Sequence, residues 1–454
     1  MIHYAVMRII IIGAGTAGRT LAGRLCEDKH DVVLIDCNKA DLEKLDSHLD
    51  ILTIEGSGSN PHVLARAGID RTDFLVAVTN IDEVNILSCL LAHAVGVKAK
   101  VARVACIDLI HPPEAFALER LGIDLIVSQA EESAIEIYNM IRIPGAQEVI
   151  DLLDAKALCA GFKIPTDSPL LVAPIKALPD HDNFAHIRFV AYQRAGKVHI
   201  PDGNTQFGIG DDVYLTGQAD PVRTFFAYAC PSETMYTRVV IAGGGELGFQ
   251  LARLLEKTPF KITLIEQDAV RAEFCSDALS STLVINGNAL DEVTMEEVGI
   301  NDQTTFVAVT GDEEKNIMSC LVAERMGAHF TSARIENPDY PSIIYSLSLL
   351  DRVIRPHSAL INKIYHFVRG QSIKADAFLQ QIPGELLEID ITEDCFYANK
   401  PLTKLALPNG SIIPMALRNE EPLIVTHDYV FLPGDTILVY ALPKTVAKIN
   451  NLFT

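Results

Sequence analysis

Short runs of consecutive apolar residues punctuate the chain and alternate with stretches in which apolar positions return every three to four residues. Ile9 to Ile12 enters a glycine turn and is followed by RTLAGRLCED, whose spacing predicts a helix. Asp31 to Ile35 predicts a second buried strand, Ile51 to Ile54 a third, and LVAVT a fourth. KVARV, ending beyond Arg103, supplies a fifth. Strands alternating with helices predict a parallel sheet covered on both faces. Past residue 145 the texture changes to Pro, Gly and short alternating runs such as AHIRFVAYQRAGKVHI, which predict a small β-rich domain up to residue 229. The helical stretch EESAIEIYNMIRI, Glu131 to Ile143, joins the two.

The whole arrangement is then written again. RIIIIGAGTAG (Arg8 to Gly18) returns 230 residues later as RVVIAGGGELG (Arg238 to Gly248). GID…FLVAVTNIDEVNILSCLLAHAVG (Gly68 to Gly96) returns 231 residues later as GIN…TFVAVTGDEEKNIMSCLVAERMG (Gly299 to Gly327), so one residue was inserted in a loop between the blocks. The second copy predicts strands at Val239 to Ile241, Lys261 to Ile265, Thr282 to Ile285 and FVAVT, a joining helix at Ser358 to Gly370, and a small β-rich domain near 374–443. Gly210-Asp211 and Gly434-Asp435 each predict a turn before a last apolar strand. A duplicated chain is therefore expected. It holds two Rossmann-like α/β domains, at 1–130 and 236–355, each followed by a linker helix and a small α+β domain, at 131–229 and 356–454.

The chemistry concentrates at the glycine turns. Gly13-Ala14-Gly15-Thr16-Ala17-Gly18 lies between a strand and a helix, where GxGxxG has a mechanical meaning. The first glycine allows the tight turn, the second admits a pyrophosphate to the backbone, and the third lets the helix pack on the strand. N–H groups at the helix start and the helix dipole favour the phosphates. Gly243-Gly244-Gly245-Glu246-Leu247-Gly248 repeats the arrangement, with Glu246 adding a charge that would oppose a pyrophosphate if it pointed inward. Asp36 and Glu266, each 18 residues past the third glycine, stand where a carboxylate accepts from ribose hydroxyls and repels a 2′-phosphate. NAD(H), or another adenosine nucleotide lacking that phosphate, is thus expected rather than NADP(H). Thr79-Asn80, Thr310-Gly311, Arg103 and Arg334 end parallel strands on the same edge, and either arginine could pair with phosphate oxygens.

Other candidates are weaker. Ser88-Cys89 and Ser319-Cys320 lie in apolar helical patterns and are expected in the core. His111-Pro112-Pro113 reads as a turn, and Glu131-Glu132 and Glu313-Glu314 as exposed or helix-starting acids. Thirteen histidines without HExxH give no metal site. With 59 acidic and 38 basic residues the formal charge is −21, which opposes nucleic-acid binding. The longest nearly apolar stretch, Ile86 to Val97, is too short to cross a bilayer. The start lacks a signal-peptide cleavage site, and nine scattered cysteines suggest neither zinc nor disulfides, so a reduced cytoplasmic protein is expected.

Two glycine-loop units, each with VAVT…N…SC and a small β domain ending in GD plus a strand, resemble the TrkA family of Trk potassium-uptake regulators. The halves of such proteins are RCK (regulator of potassium conductance) units. AGID…FLVAVTNIDEVNILSCLLA, VARV and IPTDSPLLVAPIKAL carry the resemblance, which extends over essentially the whole chain. It implies one nucleotide site at Gly13, Ala14, Gly15, Thr16, Ala17, Asp36, Thr79, Asn80 and Arg103. A second is implied at Gly243, Gly244, Gly245, Glu246, Leu247, Glu266, Thr310, Gly311 and Arg334. It also implies NAD(H) or ATP/ADP as ligand and a homo-oligomeric ring, a tetramer of two-unit chains. The ring would lie under a TrkH/TrkG-like potassium-translocating membrane subunit, on the cytoplasmic face. The chain departs from the family at Gly56-Ser57 and Gly287-Asn288, where Gly-Asp is usual, and in the residues before Met7, expected as a frayed extension. An NAD-dependent oxidoreductase is the competing expectation, opposed by the lack of a repeated His, Lys or Tyr at a catalytic position. An RCK regulator of another channel or antiporter is a third.

Overall fold

The computed structural model describes residues 6–45, 49–110, 117–178, 182–232, 237–337, 339–347, 349–372, 377–379 and 382–453. The expected extension before Met7 lies outside these for residues 1–5, as does the expected turn at His111-Pro112-Pro113. In the first copy, strands β1 (Arg8–Ile12), β2 (Asp31–Asp36), β3 (Ile51–Glu55), β4 (Phe74–Ala77), β5 (Ala99–Arg103) and β6 (Leu125–Val127) form one parallel sheet in the order 3-2-1-4-5-6. That is the dinucleotide-fold order, with the strand order reversing between β1 and β4 at the glycine turn.

The apolar run of β1 is buried on both faces. Ile9 and Ile11 pack with Leu34, Val76, Leu21 and Leu25 on one side. Ile10 and Ile12 pack with Val33, Ile35, Leu75, Leu64, Cys89 and Ala92 on the other. This explains the absence of polar alternation in the strand.

The first small sheet is antiparallel and comprises β7 (Glu148–Leu152), β8 (Ala157–Lys163), β9 (Ile187–Arg194), β10 (Lys197–His199) and β11 (Asp212–Gly217), in the order 10-9-11-8-7. The second parallel sheet is built from β12 (Arg238–Ala242), β13 (Lys261–Glu266), β14 (Leu283–Asn286), β15 (Thr304–Ala308), β16 (Phe330–Arg334) and β17 (Arg352–Ile354). Its order, 14-13-12-15-16-17, repeats that of the first. The second small sheet, β18 (Ala377–Phe378), β19 (Glu385–Asp390), β20 (Ser411–Arg418), β21 (Glu421–Ile424) and β22 (Thr436–Ala441), likewise repeats its counterpart, in the order 18-19-22-20-21. The duplication therefore extends to the topology. The mixed α/β architecture expected from the sequence is the one observed.

Like groups with like: residues 3–137 and 237–372, holding both parallel sheets, form one compact unit, and 138–236 with 373–454, holding both small sheets, form another. Inside the first unit the copies are interlocked. Helix Pro356–Ser372, in the second copy, places Leu360, Ile361, Ile364 and Val368 in the core of the first sheet beside Leu21, Leu25 and Phe74. Burying each such side chain is worth about 1.5–3 kcal/mol. Polar contacts fix the register: Tyr365 Oη donates to Asp28 Oδ2 at 2.5 Å, Arg24 Nη1 to Asn362 Oδ1 at 2.9 Å, and Lys363 lies 3.6 Å from Glu132. Inside the second unit, Leu152, Val190 and Tyr214 share a core with Leu386, Met415, Leu438 and Tyr440.

The conspicuous Gly-Asp turns have a role beyond turning. Gly210 and Gly434 adopt φ of +77° and +91°, the left-handed region that glycine enters freely. The following Asp211 and Asp435 are buried and take bidentate pairs from Arg194 and Arg418. Asp435 also accepts from Tyr429 Oη at 2.6 Å and Leu432 N at 2.9 Å. Burial pushes its carboxyl up, but the hydrogen bonds of Arg418, Tyr429 and Leu432 outweigh that and hold it below the usual carboxylate range.

Candidate functional site

Both glycine turns are built from the same three constraints. Gly13 and Gly243 have φ of +107° and +111°. A Cβ on Gly18 or Gly248 would lie 1.8 or 1.9 Å from the carbonyl oxygen of Gly13 or Gly243, so only glycine lets the helix meet the strand there. A Cβ on Gly15 or Gly245 would meet nothing within 4 Å: the middle glycine faces open space. Helices Thr16–Glu27 and Glu246–Leu255 start at these glycines with no side-chain cap, whereas Asn38, Asn60, Asp268, Asp291 and Asp312 cap their helices. The amides of Thr16–Ala17 and Glu246–Leu247 thus stand at uncapped helix heads, the arrangement that receives an anion.

Asp36 and Glu266 close the loops from the side. Asp36 Oδ2 accepts from Ala14 N at 2.6 Å and Oδ1 from Asn38 N at 2.7 Å. Glu266 Oε2 accepts from Gly244 N at 2.6 Å and Oε1 from Asp268 N at 2.8 Å. Each carboxylate oxygen keeps a further lone pair for a ribose hydroxyl.

A cleft of about 750 Å³ opens over the second loop. Gly243, Gly245, Glu246, Leu247, Glu266, Thr310, Gly311 and Arg334 all line it, as does Asn288, the residue that replaces the usual aspartate. This size suits a nucleotide. Its far wall is not from the same copy: Arg103, Ala105, Ser128, Gln129 and Ser133 come from the first. Arg103, assigned from sequence to the first site, therefore also borders the second cleft. Burial lowers the pKa of its guanidinium, opposed by the charges of Asp82 and Glu336. Arg334 is paired with Glu336, whose carboxyl stays below its usual range because the hydrogen bond and charge of Arg334 outweigh burial. Burial lowers the pKa of neighbouring His357, against the pull of Glu336.

The loops also differ in how an arginine reaches them. In the first copy Arg19, on the glycine-loop helix, donates to the carbonyl of Ala14 at 2.5 Å and lies 3.8 Å from Asp41. In the second, Phe249 stands at the position of Arg19 and Arg271 at that of Asp41. Arg271 Nε donates to the equivalent carbonyl, Gly244, at 2.6 Å, and its Nη2 lies 3.4 Å from Glu246. Its guanidinium rests over the rings of Phe249 and Phe274, 5.6 and 4.7 Å from their centroids.

Matches to known families follow this geometry. The TrkA-N domain model matches residues 9–129 and 239–356, and the TrkA-C domain model matches residues 386–454. The Trk system potassium uptake protein TrkA of Halomonas elongata is 31% identical over 452 residues, covering 98% of each chain. The chain belongs to the TrkA family. The Trk system potassium uptake proteins TrkA of Vibrio alginolyticus and Azorhizobium caulinodans are 31% and 29% identical over 454 and 452 residues, again covering 98% of each chain. The solved GsuK RCK domain has a TM-score of 0.60 at 18% identity and covers 100% of this chain and 96% of that one. The GsuK channel bound to NAD has a TM-score of 0.60 at 18% identity, covering 99% and 79%. At these identities the likeness shows the fold, that of tandem RCK units.

Within this TrkA framework two residues carry more than their sequence reading. Asn85 and Asn316, the asparagines of the repeated VAVT…N…SC pattern, are fully buried beneath Thr79 and Thr310. Ser88, Cys89, Ser319 and Cys320 lie in the core as expected, and burial pushes the Cys89 thiol up to about 12. Among the described residues there is no cluster that could hold a metal ion and no helix long and apolar enough to cross a membrane.

Proposed function

We propose that the protein is the nucleotide-sensing regulatory subunit of a Trk-type potassium uptake system and makes no covalent bonds. It binds NAD(H) or ATP/ADP at the two sets of loop residues, Gly13 to Ala17 with Asp36, Thr79, Asn80 and Arg103, and Gly243 to Leu247 with Glu266, Thr310, Gly311 and Arg334. It acts from the cytoplasmic face on a TrkH/TrkG-like membrane subunit, as a homotetramer whose eight RCK units close a ring. The domain division at 1–130, 131–229, 236–355 and 356–454 belongs to the same reading.

The observation that carries it is the second cleft, whose phosphate cradle comes from one copy and whose opposite wall comes from the other. A ligand that bridges such walls prefers one setting of the copies over another, and only that difference in affinity can bias a pore. Relatives covered over 98% of their length and named as potassium uptake proteins support the choice of ion.

Calorimetry of the full chain with NADH, NAD, ADP and ATP tests the binding. Potassium-limited growth of cells lacking the gene tests the role, and unchanged uptake would overturn it. Steady loss of NADH absorbance with oxo-acid substrates would favour the oxidoreductase instead.

A further inference from the structure

The second loop presents a difficulty that the first does not. Glu246 is the first residue of its helix, where the first copy has Thr16, so a carboxylate stands at the uncapped amides meant for phosphate. It borders the cleft. A free glutamate at a helix head is drawn to those same amides by the dipole, and would both occupy the cradle and repel a phosphate.

Among the described residues, the basic side chain within ion-pair distance of it is Arg271, at 3.4 Å. That arginine is itself fixed from three sides, by the carbonyl of Gly244 and by the rings of Phe249 and Phe274. A guanidinium held in this way presents one fixed direction to its carboxylate partner. The substitutions are matched: the arginine has moved from the glycine-loop helix (Arg19) to the following helix (Arg271), and an aromatic ring has taken the vacated position and supports it.

We propose that Arg271 is a positioning residue that draws the Glu246 carboxylate aside and keeps the second phosphate cradle open to a nucleotide's phosphates. The inference rests on the nucleotide reading above. It implies that Arg271 itself touches no ligand, and that its importance exists only while Glu246 is present.

The test uses the full chain carrying Gly15→Asp, which puts a carboxylate into the first cradle from a Cβ that meets no atom within 4 Å, so that calorimetry with ADP reads the second cleft. In that background Arg271→Met keeps an apolar stem over both rings. The expected result is a loss of ADP affinity of about tenfold to a hundredfold, the size of one uncompensated charge a few ångströms from a phosphate. Adding Glu246→Thr, the first copy's residue type, is expected to restore affinity to within about threefold of the parent. Thermal unfolding of both variants separates this from loss of fold, since a folding defect at Arg271 is not repaired at Glu246. Parental affinity in Arg271→Met, or a double variant as weak as the single one, overturns the inference alone. A wild-type chain that takes up no ADP and no NADH overturns the nucleotide reading, and the inference with it.

Discussion

Asn85 holds Thr79 by three hydrogen bonds. Its Oδ1 accepts from Thr79 N at 2.9 Å and Thr79 Oγ1 at 2.7 Å, while its Nδ2 donates to Thr79 O at 3.0 Å. The same Nδ2 also reaches Arg103 O at 2.9 Å, stitching the ends of β4 and β5 together beneath the first loop. Asn316 does the same for Thr310 and Arg334. Asn85→Asp keeps the acceptor but loses the two donations and buries a charge. It is expected to destabilise the first parallel-sheet domain by about 2–4 kcal/mol and to weaken its nucleotide binding. Denaturant unfolding and calorimetry check the two effects together.

The first and last glycines should separate from the middle one. Gly18→Ala drives a Cβ to 1.8 Å from a backbone carbonyl that cannot move without unseating β1, so a large drop in melting temperature or loss of soluble protein is expected. Gly15→Ala meets no atom within 4 Å and should melt close to wild type while binding nucleotide less tightly. Equal melting of the two variants would contradict the packing described.

Asp36→Ala and Glu266→Ala each remove the acceptor of a loop amide as well as a ribose contact. Each should lower affinity in its own cleft by about tenfold or more, the scale of a charge-assisted hydrogen bond. Calorimetric stoichiometry is the readout: one site lost per variant, and both lost in the double variant.

Acid should remove the stability that Asp435 lends the second small sheet. Its carboxyl is held below the usual range when folded, so the unfolded chain takes up the proton more readily. The stability it contributes is complete above the ordinary carboxylate pKa and falls away as pH drops from there through the lowered folded value. Asp435→Asn should flatten that acid limb and cost about 3 kcal/mol at neutral pH by leaving Arg418 with half its partner. Melting curves between pH 7 and about pH 3 would show both.

The sequence made the parallel sheets legible because their strands are uninterrupted β-branched runs and because the repeat showed each element twice. β6 and β17 were not anticipated: LIV and RVI are three residues long and partly exposed, too short to carry a period. The helices Ala219–Ala229 and Val446–Phe453 after the Gly-Asp strands were also missed, although Val222, Phe225, Phe226 and Ala229 have helical spacing. At the site, the glycines and Asp36 and Glu266 could be read because backbone geometry and ribose chemistry dictate them locally. The reach of Arg103 into the other copy's cleft, the Arg271–Glu246 pair and the asparagine stitches could not. They depend on contacts between segments distant in sequence, and their only trace was an identity or an exchange between the copies.

The duplicated gene looks divisible at its midpoint, yet the polypeptide is not. A chain ending near residue 232 would leave Leu21, Leu25 and Phe74 bare where Leu360, Ile364 and Val368 now lie. The fusion thus delivers the two halves in equal numbers, with the cover for the first half's apolar face always tethered to it.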